Sequence, residues 1–543
     1  VQAGIDIGSR SAYASADQGR AQCAPFILKT GVDTAMWHEG YTSEITYTYG
    51  YYPELSPTRI RLALLACGVE HSISDDPEYL ELGFGQGLSL NINAATNSGT
   101  YYGTDFNPGQ VANAREFANA MGKPLTLLED SFEQLSQRED LPQFDIIALH
   151  GIWSWISHGS RQAIVDLALK RLKPGGALYV SYNVTPGWSP GIPLRILMAE
   201  YAKREANGVL VDRINGSIDF VDRVIDAGAA YFKNNPQLKQ RLDQIKTQDR
   251  SYLAHEYYNA DWHPMPFSLA ADQLAEAKLT FAASAAMLEN LPAISVPAAA
   301  HQVLQEIKDP VMRETTRDYF VNQQFRRDIF VKGPRPMSAY DHNKQIEKER
   351  FILIGDPEKC PEKVTTVIGE AELRADFYNP LVKVLAKCPD GSATVGELMA
   401  SKELGMLNRA QIWEVLLVLT GAGYVAPTSK SSTPAEDGAA SRALNDRLMQ
   451  RAEAGAGVDY LAAPRLGAAT LVPRIDQMFI IALKAKEKDP AEWVRKILVS
   501  QGQLLIVEGE TIQDEERTRQ ELKKMFDNFV TTKADLLKRL GVY

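Results

Sequence analysis

Cysteine is scarce, with Cys23, Cys67, Cys360 and Cys388 the only four in 543 residues. They show neither metal-ligand spacing nor the density of a disulfide scaffold, so they read as reduced thiols of a cytoplasmic protein, and no metal is expected. No run reaches the roughly 18 apolar residues of a membrane helix, and the first residues lack the apolar core of a secretion signal. Positive charge is not in excess either. A net charge of −10 weighs against a broad nucleic-acid footprint, while leaving room for a local basic patch. The Gly-x-Gly-x-x-Gly spacing of dinucleotide sites and the Gly-Lys-Ser/Thr of triphosphate loops are both missing from the glycine-rich stretch. What is there is ordinary for a globular protein, 45% apolar and 23% charged. A chain of this length divides into two to four domains.

The stretch around which the rest is organised is Tyr79-Leu80-Glu81-Leu82-Gly83-Phe84-Gly85-Gln86-Gly87-Leu88. An apolar run ends in an acid and three alternate glycines, which is how a parallel strand feeds a tight turn and opens a helix. A carboxylate just before the loop would repel phosphates but could pair with an amine. S-adenosylmethionine offers an amino-acid end and no phosphate.

Strand and helix patterns alternate from there to about residue 198. Strands are predicted at 79–82, 101–105, 125–132, 144–149 and 177–182, with a helix over 160–172 and a turn at Lys173-Pro174-Gly175-Gly176. Continuous apolar strands joined by helices predict a parallel sheet covered on both faces, with ligands beyond its carboxyl edge. Before it lies a tyrosine-rich run, Tyr47 to Tyr52, suited to lining a pocket or to packing a helix. Ser56-Pro57 reads as a helix start, with Ser56 as the cap. Residues 199–335 read as mainly helical, with a distinctive loop at 255–267 and an aromatic-faced helix at 318–328.

The expected domains are a leader or misassigned start over 1–35 and an S-adenosylmethionine-binding catalytic domain over 36–200. A helical substrate-cleft domain over 201–335 and a winged-helix-like domain of three helices and a terminal hairpin over 336–427 follow. A linker over 428–441 leads to a C-terminal helical region over 442–543. The fold class is therefore α/β, a Rossmann-like parallel sheet with a helical middle region and a small winged-helix-like domain.

For that cofactor each strand end has a role. Gly83, Gly85 and Gly87 let the backbone hug it, and Glu81 meets its amine. Asp105 accepts both ribose hydroxyls. Asp130, with Ser131 or Phe132 beside it, accepts the adenine amino group; the structural alternative for Asp130 is a helix cap. His150 borders the cofactor. On the substrate side stand His150, Trp153, Trp155, Tyr182, Asn183 and Trp188, aromatic walls suited to a cation, with His150 either a base or an orienting group. No Asn-Pro-Pro-Tyr or Asp-Pro-Pro-Tyr follows the fourth strand, which disfavours chemistry on an exocyclic base nitrogen or a glutamine amide.

Glu81 to Gly87, Asp105 and Asp130 resemble the cofactor signature of class I S-adenosylmethionine-dependent methyltransferases. Leu149 to Trp155, Val180 to Trp188, His255-Glu256-Tyr257 and Asn322 to Arg327 resemble bacterial members carrying a methyltransferase regulatory domain. The rickettsial outer-membrane-protein lysine methyltransferases are among those members. The resemblance implies a sheet of the seven-stranded methyltransferase type and, for the rickettsial relatives, N-methylation of protein lysines. An enzyme acting on lysine needs acids to receive the basic residue, for which Glu256 and Asp261 are the candidates. Phe84 and Gln86 depart from the relatives' loop, which leaves the cofactor untouched but loosens the substrate. A small-molecule methyltransferase, a cofactor-sensing scaffold and a nucleic-acid methyltransferase are the competing readings. The expected partners are a protein or small-molecule substrate, with no nucleic acid and no membrane span, and a homodimer is left open.

Overall fold

The computed structural model describes residues 49–259, 261–428, 438–455, 457–507 and 510–543. The expected leader, and residues 429–437 of the expected linker, lie outside them. At the centre is a sheet of β1 (Glu78–Leu82), β2 (Thr100–Thr104), β3 (Thr126–Leu128), β4 (Phe144–Leu149), β5 (Leu172–Asn183), β6 (Leu279–Ser284) and β7 (Phe325–Lys332). Their spatial order is β3-β2-β1-β4-β5-β7-β6. The first five run parallel, and β7 is antiparallel to both of its neighbours.

Alternation along the strands divides the core into two layers. Tyr79, Ile146, Ala148, Tyr179 and Ile329 point to one face, where α1 (Pro57–Ala66), α2 (Leu88–Thr96) and α3 (Pro108–Met121) pack. Leu80, Leu82, Ile147, Leu149, Val180 and Tyr182 point to the other, against α4 (Phe132–Gln137) and α5 (His158–Arg171). The first face shares a continuous apolar core with the C-terminal modules. Ser56 precedes α1 as expected but does not cap it; its hydroxyl donates instead to the Gly467 carbonyl at 2.8 Å.

Further expectations are corrected. The turn at 173–176 is drawn into β5 as a bulge, with Gly175 at φ 76°. The middle region is not purely helical, because it supplies β6 and β7, so the sheet crosses the boundary expected at residue 200. The aromatic-faced helix over 318–328 is two elements: a helix over Pro310–Val321 stops at Asn322, left-handed at φ 49°, and β7 begins at Phe325. Beyond position 322, Phe325, Arg327, Ile329 and Val331 alternate with Arg326, Asp328 and Phe330, a period of two.

The helical part of the middle region is α6 (Ile192–Arg204), α7 (Leu210–Asp226), α8 (Gln237–Thr247) and α9 (Arg250–Tyr257). Leu210, Ile214, Ser217, Ile218 and Val221 form a buried stripe on α7, which with Leu194, Met198, Leu242 and Leu253 makes a core of its own. His255, Glu256 and Tyr257, expected in a loop, belong to α9. In the region over 336–427, Val425–Pro427 pairs with Arg350–Leu353 instead of closing a local hairpin. Among the described residues no helix is long and apolar enough to cross a membrane, and no group of three or more His, Cys, Asp or Glu could hold a metal ion.

Candidate active site

The register of the sheet brings the polar strand ends together. Leu82 lies opposite Thr104, Thr104 opposite Leu128, Glu81 opposite Ala148, and Leu149 opposite Val180. Glu81, Asp105, Asp130 and His150 therefore share one edge. After β1 the chain passes through Gly83, Gly85 and Gly87 at φ 64°, 58° and 75°, a conformation that suits only glycine at low cost. Space adds a second constraint. A Cβ at Gly83 would fall 2.6 Å from Ile152 Cδ1, and one at Gly87 would fall 2.4 Å from Ala114 Cβ. A Cβ at Gly85 meets nothing within 4 Å, so the loop faces open space there.

Two of the acids at this edge, Glu81 and Asp105, have no cationic partner among the described residues. Burial pushes the Glu81 carboxyl up to about 8, and the Tyr79 hydroxyl, 3.4 Å away, pulls it only part of the way back. Burial pushes Asp105 up to about 7 against the N–H groups of Asn107 and Gly85, each donating at 2.9 Å. The Gln110 side-chain amide also lies 2.8 and 2.9 Å from its two oxygens, donating with its nitrogen turned toward them. Asp130 pairs with Arg138 at 3.0 Å. It is not the cap of α4: Ser131 is, in a capping box with Gln134. That leaves the Ser131 hydroxyl engaged in the helix, while the Phe132 ring stands 3.7 Å from the Cβ position of Gly83.

His150 is stacked on Tyr52, with ring centroids 3.7 Å apart, and its Nδ1 is 2.8 Å from the Tyr179 hydroxyl. Gly151 N–H donates to Ser181 Oγ at 2.7 Å, and Ser181 is hydrogen-bonded to Tyr179. In that chain the Tyr179 proton points at Nδ1, leaving the ring N–H on Nε2. Burial lowers the His150 pKa to about 4. The imidazole is a neutral, oriented group and a poor base for an ammonium of ordinary pKa about 10.4.

The substrate-side residues separate. The segment 263–265 lies between the loop after β4 and the end of β5, with His263 N–H donating to Ser154 O at 2.8 Å and Met265 N–H to Asn183 O at 3.2 Å. This seats Trp262 against Trp188 at 5.2 Å and Trp155 at 6.1 Å, while Tyr257 of α9 reaches Trp188 at 6.4 Å. Trp155 and Trp188 thus both border Trp262. Trp153 and Tyr182 do not join them. Trp153 is wholly buried in the second core layer, and the Tyr182 hydroxyl donates to Asp328 at 2.7 Å on that same face. Asn183 is buried too, its N–H bound to Ser154 Oγ. Tyr52 belongs to the tyrosine-rich run read as suited to a pocket and Trp262 to the loop at 255–267, whereas Ile152, Tyr179 and Ser181 were not singled out by sequence as site residues. Period-two alternation pointed to Tyr179 and Ser181, since they share the face of β5 opposite to Tyr182.

Of the two middle-region acids, Asp261 is paired with His263 at 2.9 Å. Glu256 has no hydrogen-bond or ion-pair partner among the described residues, and burial pushes it up to about 7. It lies one helical turn from Tyr252, whose hydroxyl feels both Glu256 and Tyr52.

A parallel sheet closed by one antiparallel strand, with an acid-glycine loop and acids at successive strand ends, defines a class I S-adenosylmethionine-dependent methyltransferase. Residues 80–176 match the family described as a methyltransferase domain, and residues 249–332 match a "predicted methyltransferase regulatory domain". An uncharacterized protein of Synechocystis sp. is 35% identical over 509 residues, 93% of this chain and 99% of that one. The chain belongs to this family of methyltransferases with a regulatory domain. An uncharacterized protein of Rickettsia prowazekii is 24% identical over 62% of this chain and 60% of its own. The structure of PKMT2 from Rickettsia typhi in complex with AdoHcy shares the fold, with a TM-score of 0.64 at 17% identity, over 91% of this chain and 99% of that one.

Proposed function

We propose that this methyltransferase acts on the amine nitrogen of a lysine side chain in a protein substrate. The observation that carries the reading is Glu256, a half-buried carboxylate on α9 without a partner among the described residues, on the regulatory-domain helix beside the aromatic wall. An arriving ammonium supplies the missing counter-charge. The likeness in fold to PKMT2, and the departures of Phe84 and Gln86, leave the identity of the protein substrate to experiment.

The residues present fit the cofactor. Glu81 takes its ammonium end, and Gly83, Gly85 and Gly87 leave room for the backbone of that end to lie close. The Gln110 amide donates to both oxygens of Asp105 as two ribose hydroxyls would, and is displaced by them. Phe132 and Ile152 flank the loop as apolar walls for the adenine, with Asp130 at the rim. When bound, S-adenosylmethionine supplies an electrophilic methyl: the N–C bond forms as the C–S bond breaks, and sulfur keeps the electron pair. The chain's own part is to align, exclude water and take one proton. Glu256 is the group matched to that proton, since its pKa of about 7 lies nearer the ammonium than that of His150. His150, Tyr52 and Tyr252 present ring faces and hydroxyls to a cation. A small cationic metabolite is the second reading, favoured by the closed Trp155–Trp262–Trp188 wall.

The test is transfer of labelled methyl into a native lysate split into protein, nucleic-acid and small-molecule fractions. Label in a protein band, placed on lysine by mass spectrometry, is the expected result. Glu256→Gln is expected to keep cofactor affinity and lose at least about tenfold in turnover. Label only in the small-molecule fraction would overturn the lysine reading.

A further inference from the structure

We infer that Arg451, in the C-terminal region, is a positioning residue for the cofactor loop, acting through Asn113 on the Gln86 carbonyl. Arg451 stands on α10 (Gly438–Glu453), which packs along α2 and α3. Its guanidinium donates to the Tyr49 hydroxyl at 2.5 Å and to Asn113 Oδ1 at 3.2 Å. Tyr49 donates to the same Oδ1 at 2.8 Å. Both lone pairs of that oxygen are then engaged, which fixes the amide plane and aims the Asn113 nitrogen at the Gln86 carbonyl, 2.7 Å away.

Gln86 sits between Gly85 and Gly87, both left-handed, so neither neighbour restrains the peptide through a side chain. The peptide at the turn of the loop is held at its two polar ends, the Gln86 carbonyl by Asn113 and the Gly87 N–H by the Phe84 carbonyl at 3.0 Å. Asn113 is also next to Ala114, the residue a Cβ at Gly87 would strike. Helix α3 thus touches the loop on one side and α10 on the other. Arg451 is held in plane by the rings of Tyr49 and Phe117, at 4.7 and 5.3 Å, and Phe117 is wholly buried. Among the described residues its partners are neutral oxygens and ring faces, with no carboxylate. A cation spent this way serves geometry, since five donors in a rigid fork suit the bridging of two oxygens.

One turn earlier on the same helix, Arg447 pairs with Glu116 on α3. It joins the same two helices without reaching the loop, and so separates docking from positioning. The inference rests on the loop's being the cofactor site. The experiment titrates the full chain with S-adenosylhomocysteine by calorimetry, for wild type, Arg451→Ala, Arg451→Lys and Arg447→Ala. Arg451→Ala is expected to weaken affinity about tenfold, the equivalent of one well-made hydrogen bond. Lysine, lacking the fork, is expected at about threefold, and Arg447→Ala within about twofold. Coupling is reciprocal, so bound ligand should also slow hydrogen exchange over 438–453 in wild type and fail to do so in Arg451→Ala. Should the alanine variant not fold, Arg451→Lys against Arg447→Ala carries the same comparison. Equal affinity in Arg451→Ala and wild type overturns the inference, as does an Arg447→Ala loss as large as that of Arg451→Ala. A wild type that binds no S-adenosylhomocysteine would instead overturn the cofactor reading beneath it.

Discussion

Two groups of buried or half-buried carboxylates lie in this fold, and they are balanced differently. Around β7 the chain supplies its own cation. Arg326, 2% exposed, pairs with Asp318 at 2.5 Å, Asp328 at 2.8 Å and Glu314 at 2.8 Å, and lies 4.3 Å over the Phe267 ring. At the strand edge Glu81 and Asp105, with Glu256 on α9, have no arginine or lysine partner, and burial raises all three. Burial penalises charge in both places. In the first, the counter-charge is part of the sequence and fastens the regulatory segment to the sheet. In the second, it is left for a ligand to bring.

Breaking the first group should cost most. Arg326→Met leaves three carboxylates facing one another around a neutral side chain, and a loss of about 3–5 kcal/mol is expected in denaturant unfolding. A loss under about 1 kcal/mol would erase the distinction between the two groups.

Glu81→Gln should act in the opposite sense on stability. Between about pH 4.5 and 8 the folded chain holds a proton on Glu81 that the unfolded chain has released, so the contribution of this group to stability falls as pH rises through that window. The amide removes this dependence. The unliganded variant should therefore melt with a flatter pH profile from 5.5 to 8 and with a higher midpoint at pH 8. Its affinity for S-adenosylhomocysteine should drop by about 100-fold. A mutant with wild-type affinity would take Glu81 out of the cofactor site.

The smallest effect is expected at the wall. Trp188 is covered on one side by Arg241, 4.0 Å from its ring, and meets Trp262 and Tyr257 on the substrate side. Trp188→Ala should keep cofactor affinity within about twofold while turnover of an identified substrate falls about tenfold. Lost cofactor affinity in a folded variant would move this ring to the cofactor side.

The first five strands and the glycine loop were legible because their signals are local: apolar runs, acids at their ends, and glycines where the backbone must turn left-handed. β7 was not, because Arg326, Arg327 and Asp328 read as the polar face of a helix when their pairing partners are unknown. Only the fold reveals that Asp318, eight residues earlier, is the counter-charge. Trp153 and Tyr182 were assigned by nearness to strand ends, and the pleat turned Tyr182 to the wrong face. Glu256 was legible as a residue type. That it stands without a partner, unlike Asp261, is a matter of tertiary packing and could not be read from sequence.

Strand β5 meets its neighbour β7 only after a detour of about 150 residues, with Ala177 opposite Val331. During synthesis at roughly 5–20 residues per second, β5 leaves the ribosome about 10–30 s before the strand that covers it. For that time it is an open edge, a template for pairing with other chains. Four of the helices made in the interval, α6 to α9, have a core of their own and can form before the sheet is complete. The nascent protein thus passes through a stage with a closed helical cap and an unfinished sheet, the stage at which a chaperone would find it.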